Sequence, residues 1–332
     1  MINKDIHVCG LGNGLVDVQV EISESVLDMF GVAKGSMTLV DAETQARYLS
    51  HLQEQTVHRS SGGSAANTMI AIAQFGGRSA LKTALGNDDM GRFYAEEFQN
   101  LGIHLDADMI PEQPTGTCLV LITPDAERTM LTALGVNRSF GAEHIREKTV
   151  ERSEWLYIEG YKFSEPNGTE AISESLRYAK RHGTKIAVSF SDTFIVNIFR
   201  NLLEEVAAQA DLIFCNETEA RAFTGADDND DAFRYLCRYF PAVAFTLGGR
   251  GSRLKFDGDI HEIAPYHAVA IDATGAGDMY AGGVLYGITH GYSPERAGHL
   301  GSFAASKIVS QFGARLKEPP QTVRDSVLAK IG

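Results

Sequence analysis

From residue 155 onward the chain alternates short apolar runs with helix-like segments, and few folds accommodate that rhythm. Residues 155–158 (Trp-Leu-Tyr-Ile) read as a strand, 169–182 as a helix closed by Gly183, and 185–190 as the next strand. Residues 202–210 read as helical, 211–215 as a strand, 231–239 as a helix and 243–247 as a strand again. Strands this short and this uniformly apolar are covered on both faces. The expected fold is therefore α/β, with a central, mostly parallel sheet flanked by helices. Ligands in such sheets sit at the carboxyl ends of the strands, so the residues just after each strand matter most.

Two regions break the rhythm. Residues 16–22 alternate apolar and polar, as a half-exposed strand should, and 117–123 and 128–134 read as a hairpin around the turn 124–127. With 36–40 and Ile103-His104 they are expected to form a small separate sheet, inserted at about 14–22, 36–40 and 103–134 of a single domain spanning 1–332. Over the mouth of an α/β domain such a sheet would act as a lid that excludes water. An edge extension of the main sheet is the alternative.

Composition narrows the partners. A net charge of −13 argues against nucleic acid, whose phosphates demand basic surface, but it does not count against binding one nucleotide in a local pocket. Cys9, Cys118, Cys215 and Cys237 are far apart and mostly lie in apolar runs, as buried reduced thiols of a cytoplasmic protein would. No signal peptide is visible and no apolar run approaches the length of a spanning helix, so no membrane partner is expected. A monomer and a homodimer are equally compatible with the sequence.

The chemistry concentrates in Asp272-Ala-Thr-Gly-Ala-Gly-Asp278, which leads into the small-residue helix 279–287. A run with so few side chains lets backbone N–H groups line an anion site, to which a helix N-terminus adds its dipole. A capping role would explain Asp278 alone, but not the extra glycines and a second acid upstream. An anion cradle beside a base is what phosphoryl transfer to an alcohol requires. Upstream, Gly62-Gly63 opens an apolar helix in which Asn67 offers both a donor and an acceptor to a hydroxyl. Asn216 and Glu219 stand three apart on a first helical turn, where they could reach one ion or simply cap the helix. The run from Thr246 through Gly248 to Gly251 is either a nucleotide loop or a glycine turn between strands. The Gly10–Gly14 run lacks the third glycine of a dinucleotide fingerprint, because Leu15 and Asp17 stand where it would be. There is no Gly-Lys pair for a P-loop, and no histidine is paired with a plausible nucleophile.

Together these motifs resemble the ribokinase-like (PfkB) family of carbohydrate and nucleoside kinases over roughly residues 6–318. Gly62-Gly63 with Asn67 is similar to the family's N-terminal signature, and Asp272–Asp278 to its C-terminal one, with Ala273 where threonine is common. Asn216-x-x-Glu219 matches its N-x-x-E motif. Within the family the chain most resembles the adenosine kinases, through the segments 12–17 and 211–220, although Gly14 replaces the usual proline.

The resemblance implies a ribokinase-like fold and ATP-dependent phosphorylation of a primary hydroxyl, adenosine to AMP first. A ribokinase or other sugar kinase, such as a 2-keto-3-deoxygluconate kinase, is the alternative, and a non-catalytic nucleotide-binding protein ranks behind both. It implies Asp278 as general base, with the amides of Gly275, Ala276 and Gly277 around the transferring phosphoryl group. Asp17, Asn13, Gly62, Gly63 and Asn67 would hold the acceptor. Asn216, Thr246, Gly248, Gly251 and Arg128 would hold ATP, and Asn216 and Glu219 would hold Mg²⁺ through water. Asp272 and Thr274 match the family's K⁺ ligands. Tyr161 and Phe163 are candidates for stacking on a base.

Overall fold

The computed structural model describes residues 4–52, 55–125 and 127–331. Among them fourteen strands form two sheets: β1 Ile6–Leu11, β2 Leu15–Glu21, β3 Met37–Leu39, β4 Val57–Gly62, β5 Ser79–Gly86, β6 His104–Ile110 and β7 Gly116–Ile122 in the first half. The second half contributes β8 Arg128–Ala133, β9 Ser153–Glu159, β10 Lys185–Ser189, β11 Leu212–Asn216, β12 Ala242–Thr246, β13 Ser252–Phe256 and β14 Asp259–Ile263.

The large sheet runs β14-β13-β12-β11-β10-β9-β1-β5-β6, and only β13 runs against the rest, antiparallel to both β12 and β14. Its central strands are apolar on both sides because helices cover both faces: Leu156, Ile158, Val188, Ile213 and Val243 are all fully buried. The carboxyl ends of β1, β9, β10, β11 and β12 all point to one rim, so side chains far apart in sequence meet there.

The small sheet runs β3-β8-β7-β2-β4 over that rim. The expected hairpin is present, with Thr117 opposite Ala133, although Ala126 of its turn lies outside the described residues. The expectation that Ile103-His104 belongs to this sheet is overturned. His104 opens β6, which pairs in parallel with β5 at the edge of the large sheet, from Ala80–His104 to Gly86–Ile110. The polar strand β4 went unrecognised, because its exposed residues Val57 to Arg59 give no apolar alternation.

Two helices with small residues position the rim chemistry. The Ser64–Gln74 and Ala276–Thr289 helices pack side by side, and Ala65, Ala66, Ala71, Ala281, Gly282 and Gly283 are buried between elements. Small side chains allow this close approach, so the two N-termini open beside one another. Among the described residues no helix is long and apolar enough to cross a membrane. The four cysteines are free, and Cys9, Cys118 and Cys215 are buried.

Just beyond β9 lies a fully buried ion pair, Lys162 with Glu165, capped by the Phe140 ring 4.7 Å from the ammonium. Removing one partner of such a pair strands the other charge in a dry site. Lys162→Met is expected to lower unfolding free energy by about 3–5 kcal/mol, and Lys162→Met with Glu165→Leu to recover most of that loss. Urea denaturation of both variants checks this; an equal loss in the single and double variants would contradict it.

Candidate functional site

Two cavities meet at the rim. One, of about 480 Å³, lies under the small sheet. The other, of about 770 Å³, lies between the Thr246–Gly251 turn, the loop 265–273 and the Pro294–Val309 helix. Asn216, Thr246, Gly277 and Tyr280 border both. A molecule in one cavity can therefore touch a molecule in the other at this junction, and Asp278 borders the first cavity beside it.

Asp278 sits in the first turn of the Ala276–Thr289 helix, where the dipole favours an anion. Ser64 Oγ donates to its Oδ1 at 2.6 Å and Asn67 Nδ2 to its Oδ2 at 3.0 Å. Burial raises its carboxyl to about 6, against the pull of those two hydrogen bonds. Both partners come from the first turn of the neighbouring helix. Asn67, expected to contact an acceptor, therefore orients Asp278. Ser64 carried no motif signal of its own and was missed.

Asp17, on β2, borders the same cavity, and burial raises its carboxyl to about 7 despite the charges of Arg128 and Arg315. The two glycines opposite are required by the chain itself. A Cβ on Gly62 would come within 2.5 Å of the Asp17 carboxylate, and one on Gly63, at φ +100°, would overlap the Asn13 carbonyl oxygen. Protein thus fills the Cβ directions of Gly62 and Gly63, which were expected to hold the acceptor, and Gly63 also borders the first cavity. Asn13 is buried at the cavity wall, its N–H held by Glu159 Oε1 at 2.8 Å.

The glycine run before Asp278 also departs from expectation in part. The Ala276 N–H donates to the Ala273 carbonyl at 3.1 Å, so it is not available to an anion. Among the described residues, the amides of Gly275, Gly277 and Asp278 meet no acceptor. Asp272 is buried and engaged. Its Oδ1 accepts from the Thr274 amide and its Oδ2 from the Gly313 amide, both at 3.0 Å, and Arg128 Nη2 lies 3.0 Å from Oδ2. Two amides and the Arg128 guanidinium thus face the Asp272 carboxylate, the group that the family resemblance pairs with Thr274 as K⁺ ligands. Arg128 reaches from β8 in the small sheet to this loop, yet its Nε and Nη2 make no hydrogen bond of good geometry.

Asn216 caps the Glu217–Thr224 helix. Its Oδ1 accepts from the Thr218 and Glu219 amides at 2.9 Å, while the Glu219 carboxylate accepts from Asn216 N at 3.0 Å and Nδ2 at 2.7 Å. The capping reading thus holds, and both side chains still border the first cavity. Burial lifts the Glu219 carboxyl to about 7, and Asp192 adds to the shift. Thr246, Gly248 and Gly251 border the second cavity, Gly251 at φ +92° against the Ile263 carbonyl.

Tyr161 borders the first cavity, whereas Phe163 is buried in the core and does not. Phe194, which begins a short helix after β10, also borders it and was missed; only its position beyond a strand end signalled it. Among the described residues there is no cluster of three or more His, Cys, Asp or Glu able to hold a metal ion.

Comparison with known proteins finds the same fold. The pfkB family carbohydrate kinase model matches residues 30–321. The crystal structure of adenosine kinase from Sinorhizobium meliloti superposes with a TM-score of 0.89 at 31% identity, covering 97% of this chain and 99% of that one. A probable sugar kinase from Rhizobium etli gives a TM-score of 0.89 at 28% identity, covering 97% and 98%. Adenosine kinase 1 of Arabidopsis thaliana is 24% identical over 335 residues, covering 94% of this chain and 96% of its own length.

The raised carboxyl of Asp17 makes a stability prediction. A carboxyl lifted from 3.8 to about 7 binds its proton more tightly when folded. Its contribution is therefore fully present below pH 3.8 and lost as pH climbs through 7. Asp17→Asn is expected to match the parent at pH 4 and exceed it by roughly 1–3 kcal/mol at pH 8. Urea melts across this range check it, and a gap that does not grow with pH would contradict it.

Proposed function

The chain belongs to the pfkB family of carbohydrate kinases, and on that footing we propose that it transfers the γ-phosphoryl group of ATP to the primary hydroxyl of a nucleoside, adenosine first. It is a phosphotransferase with an alcohol acceptor, of a family that uses ATP as co-substrate and typically Mg²⁺.

The observation that carries the nucleoside reading is the polarity of the first cavity. One end offers the carboxylates Asp17 and Asp278 with Asn13; the small sheet offers an apolar wall of Leu15, Leu39, Val120 and Met130, with Phe194 and Tyr161 nearby. Ribose hydroxyls match the first end and a flat purine the second. A monosaccharide carries hydroxyls on every side and would leave the apolar wall unmatched. The sugar-kinase reading keeps the same polar end, which is why the acceptor must be tested directly.

The second cavity takes ATP in this reading, with Thr246, Gly248 and Gly251 along the nucleotide and its phosphates directed at the junction. Mg²⁺ fits Asn216 and Glu219 through water: they are hard oxygen donors with one carboxylate, which suits an ion held mainly by phosphate and water. When bound, the ion would neutralise phosphate charge; the chain's own residues do the rest. Asp17 and Asn13 orient the acceptor, and Asp278 takes the proton as the hydroxyl oxygen bonds to phosphorus and the bond to the ADP oxygen breaks. The free amides of Gly275 and Gly277 point their dipoles at the charge on the phosphoryl oxygens. The small sheet closes over the cavity to exclude water, and Arg128 turns from Asp272 to the phosphates.

Asp278→Asn is expected to lose at least ~10²-fold in kcat with ATP affinity intact, as removal of a general base does. Because the base must be ionised, kcat/KM for the acceptor should fall below a limb near pH 6. Near-normal turnover in the variant would remove Asp278 from that role. In a transfer screen over adenosine, other nucleosides, ribose and ketoses, adenosine is expected to be the best acceptor; saturable phosphorylation of ribose with none of adenosine would establish the sugar kinase instead.

A further inference from the structure

Glu159 ends β9 and is 1% exposed at the wall of the acceptor cavity, yet among the described residues no cation pairs with it. The charges facing it are Glu165 and Lys162, which pair with each other. Both of its oxygens are spent on backbone amides from two distant segments. Oε1 accepts from Asn13 N at 2.8 Å, and Oε2 from Ala65 N at 2.7 Å. Asn13 lies between β1 and β2, the strand that carries Asp17 into the small sheet. Ala65 is the second residue of the Ser64–Gln74 helix, so its amide is one of the four without a partner inside the helix. Ser64, just before it, and Asn67, two residues after it, are the two donors to Asp278.

We propose that Glu159 is a positioning residue for phosphoryl transfer: its carboxylate latches the Asn13 loop to the start of the Ser64–Gln74 helix, and so sets how firmly Ser64 and Asn67 hold Asp278. The glycine run at the end of β1 is shaped for this latch. A Cβ on Gly12 would stand 2.5 Å from both Glu159 Oε2 and the Ala65 Cβ, so the carboxylate reaches Ala65 only because position 12 has none. Burial raises the Glu159 carboxyl to about 8, and the two amides counter that shift by bonding to the anion. An uncompensated carboxylate in a dry wall is costly, and here its compensation consists of two bonds to segments that bear site residues.

The inference rests on the assignment of Asp278 as base, and the test separates the two. In Glu159→Gln one carboxylate oxygen becomes an NH₂ that confronts an amide donor, so one arm of the latch is lost. With the acceptor that the parent phosphorylates, kcat is expected to fall by about tenfold or more, with KM for ATP within about twofold of the parent, since small misplacements near the chemistry are costly. Looser bonds from Ser64 and Asn67 stabilise the Asp278 anion less, so the acidic limb of kcat should move to higher pH. Gly12→Ala, which displaces the same carboxylate by a different route, should reproduce both effects, and unchanged ATP affinity shows that each variant is folded. If Asp278→Asn is inactive while both latch variants keep the parent's kcat and acidic limb, the latch is refuted and the base assignment stands. A fall in kcat with an unmoved limb also overturns it. If Asp278→Asn keeps its turnover, the reading beneath the inference fails.

Discussion

Everything at the rim depends on two helix N-termini opening side by side against the same cavity. The contact is possible because the Ser64–Gln74 and Ala276–Thr289 helices present alanine and glycine to each other, which lets their backbones approach. A carboxylate on one first turn can then accept hydrogen bonds from two side chains on the other. Larger residues at the interface would separate the first turns and leave Asp278 either unheld or capped by its own helix. The geometry of one carboxylate is thus set by packing several turns away.

The rim is electrostatically expensive. Asp17, Asp278, Glu159 and Glu219 all have carboxyls raised by burial, to between about 6 and 8. The cations whose charges reach Asp17 are engaged elsewhere: Arg128 stands against Asp272, and Arg315 is bonded to Glu97 and Ser61. A fold selected for stability alone would place apolar groups there. Carboxylates held this way are poised to accept protons or cations, which suits the phosphoryl transfer proposed for this rim.

Much of this was legible in the sequence. The alternation beyond residue 155 marked the parallel strands because residues buried on both faces cannot be polar, and the Asp272–Asp278 run marked the loop and first helical turn that bring Asp278 to the cavity. The hairpin was equally plain from its period of two. Other parts were not legible. His104–Ile110 carries a half-polar pattern that suits either sheet, and only pairing with β5 assigned it to the large one. That Gly62 and Gly63 lie against Asp17 and Asn13 is likewise visible only in the fold, because no local pattern relates them.

The sequence by itself determined the class of the fold, the family and the chemical types gathered at the rim, because these follow from local periodicity and from short motifs whose spacing is fixed along the chain. Only the tertiary structure decided which group each residue serves. Asn67 and Ser64 turn to Asp278, Asp272 is consumed by Thr274, Gly313 and Arg128, and Glu159 joins residues 13 and 65. Thr274 apart, which is two residues from Asp272, these hydrogen-bonded partners lie 41 to 214 residues apart, and bonds at that distance are chosen by how helices and strand ends pack, which no local pattern encodes.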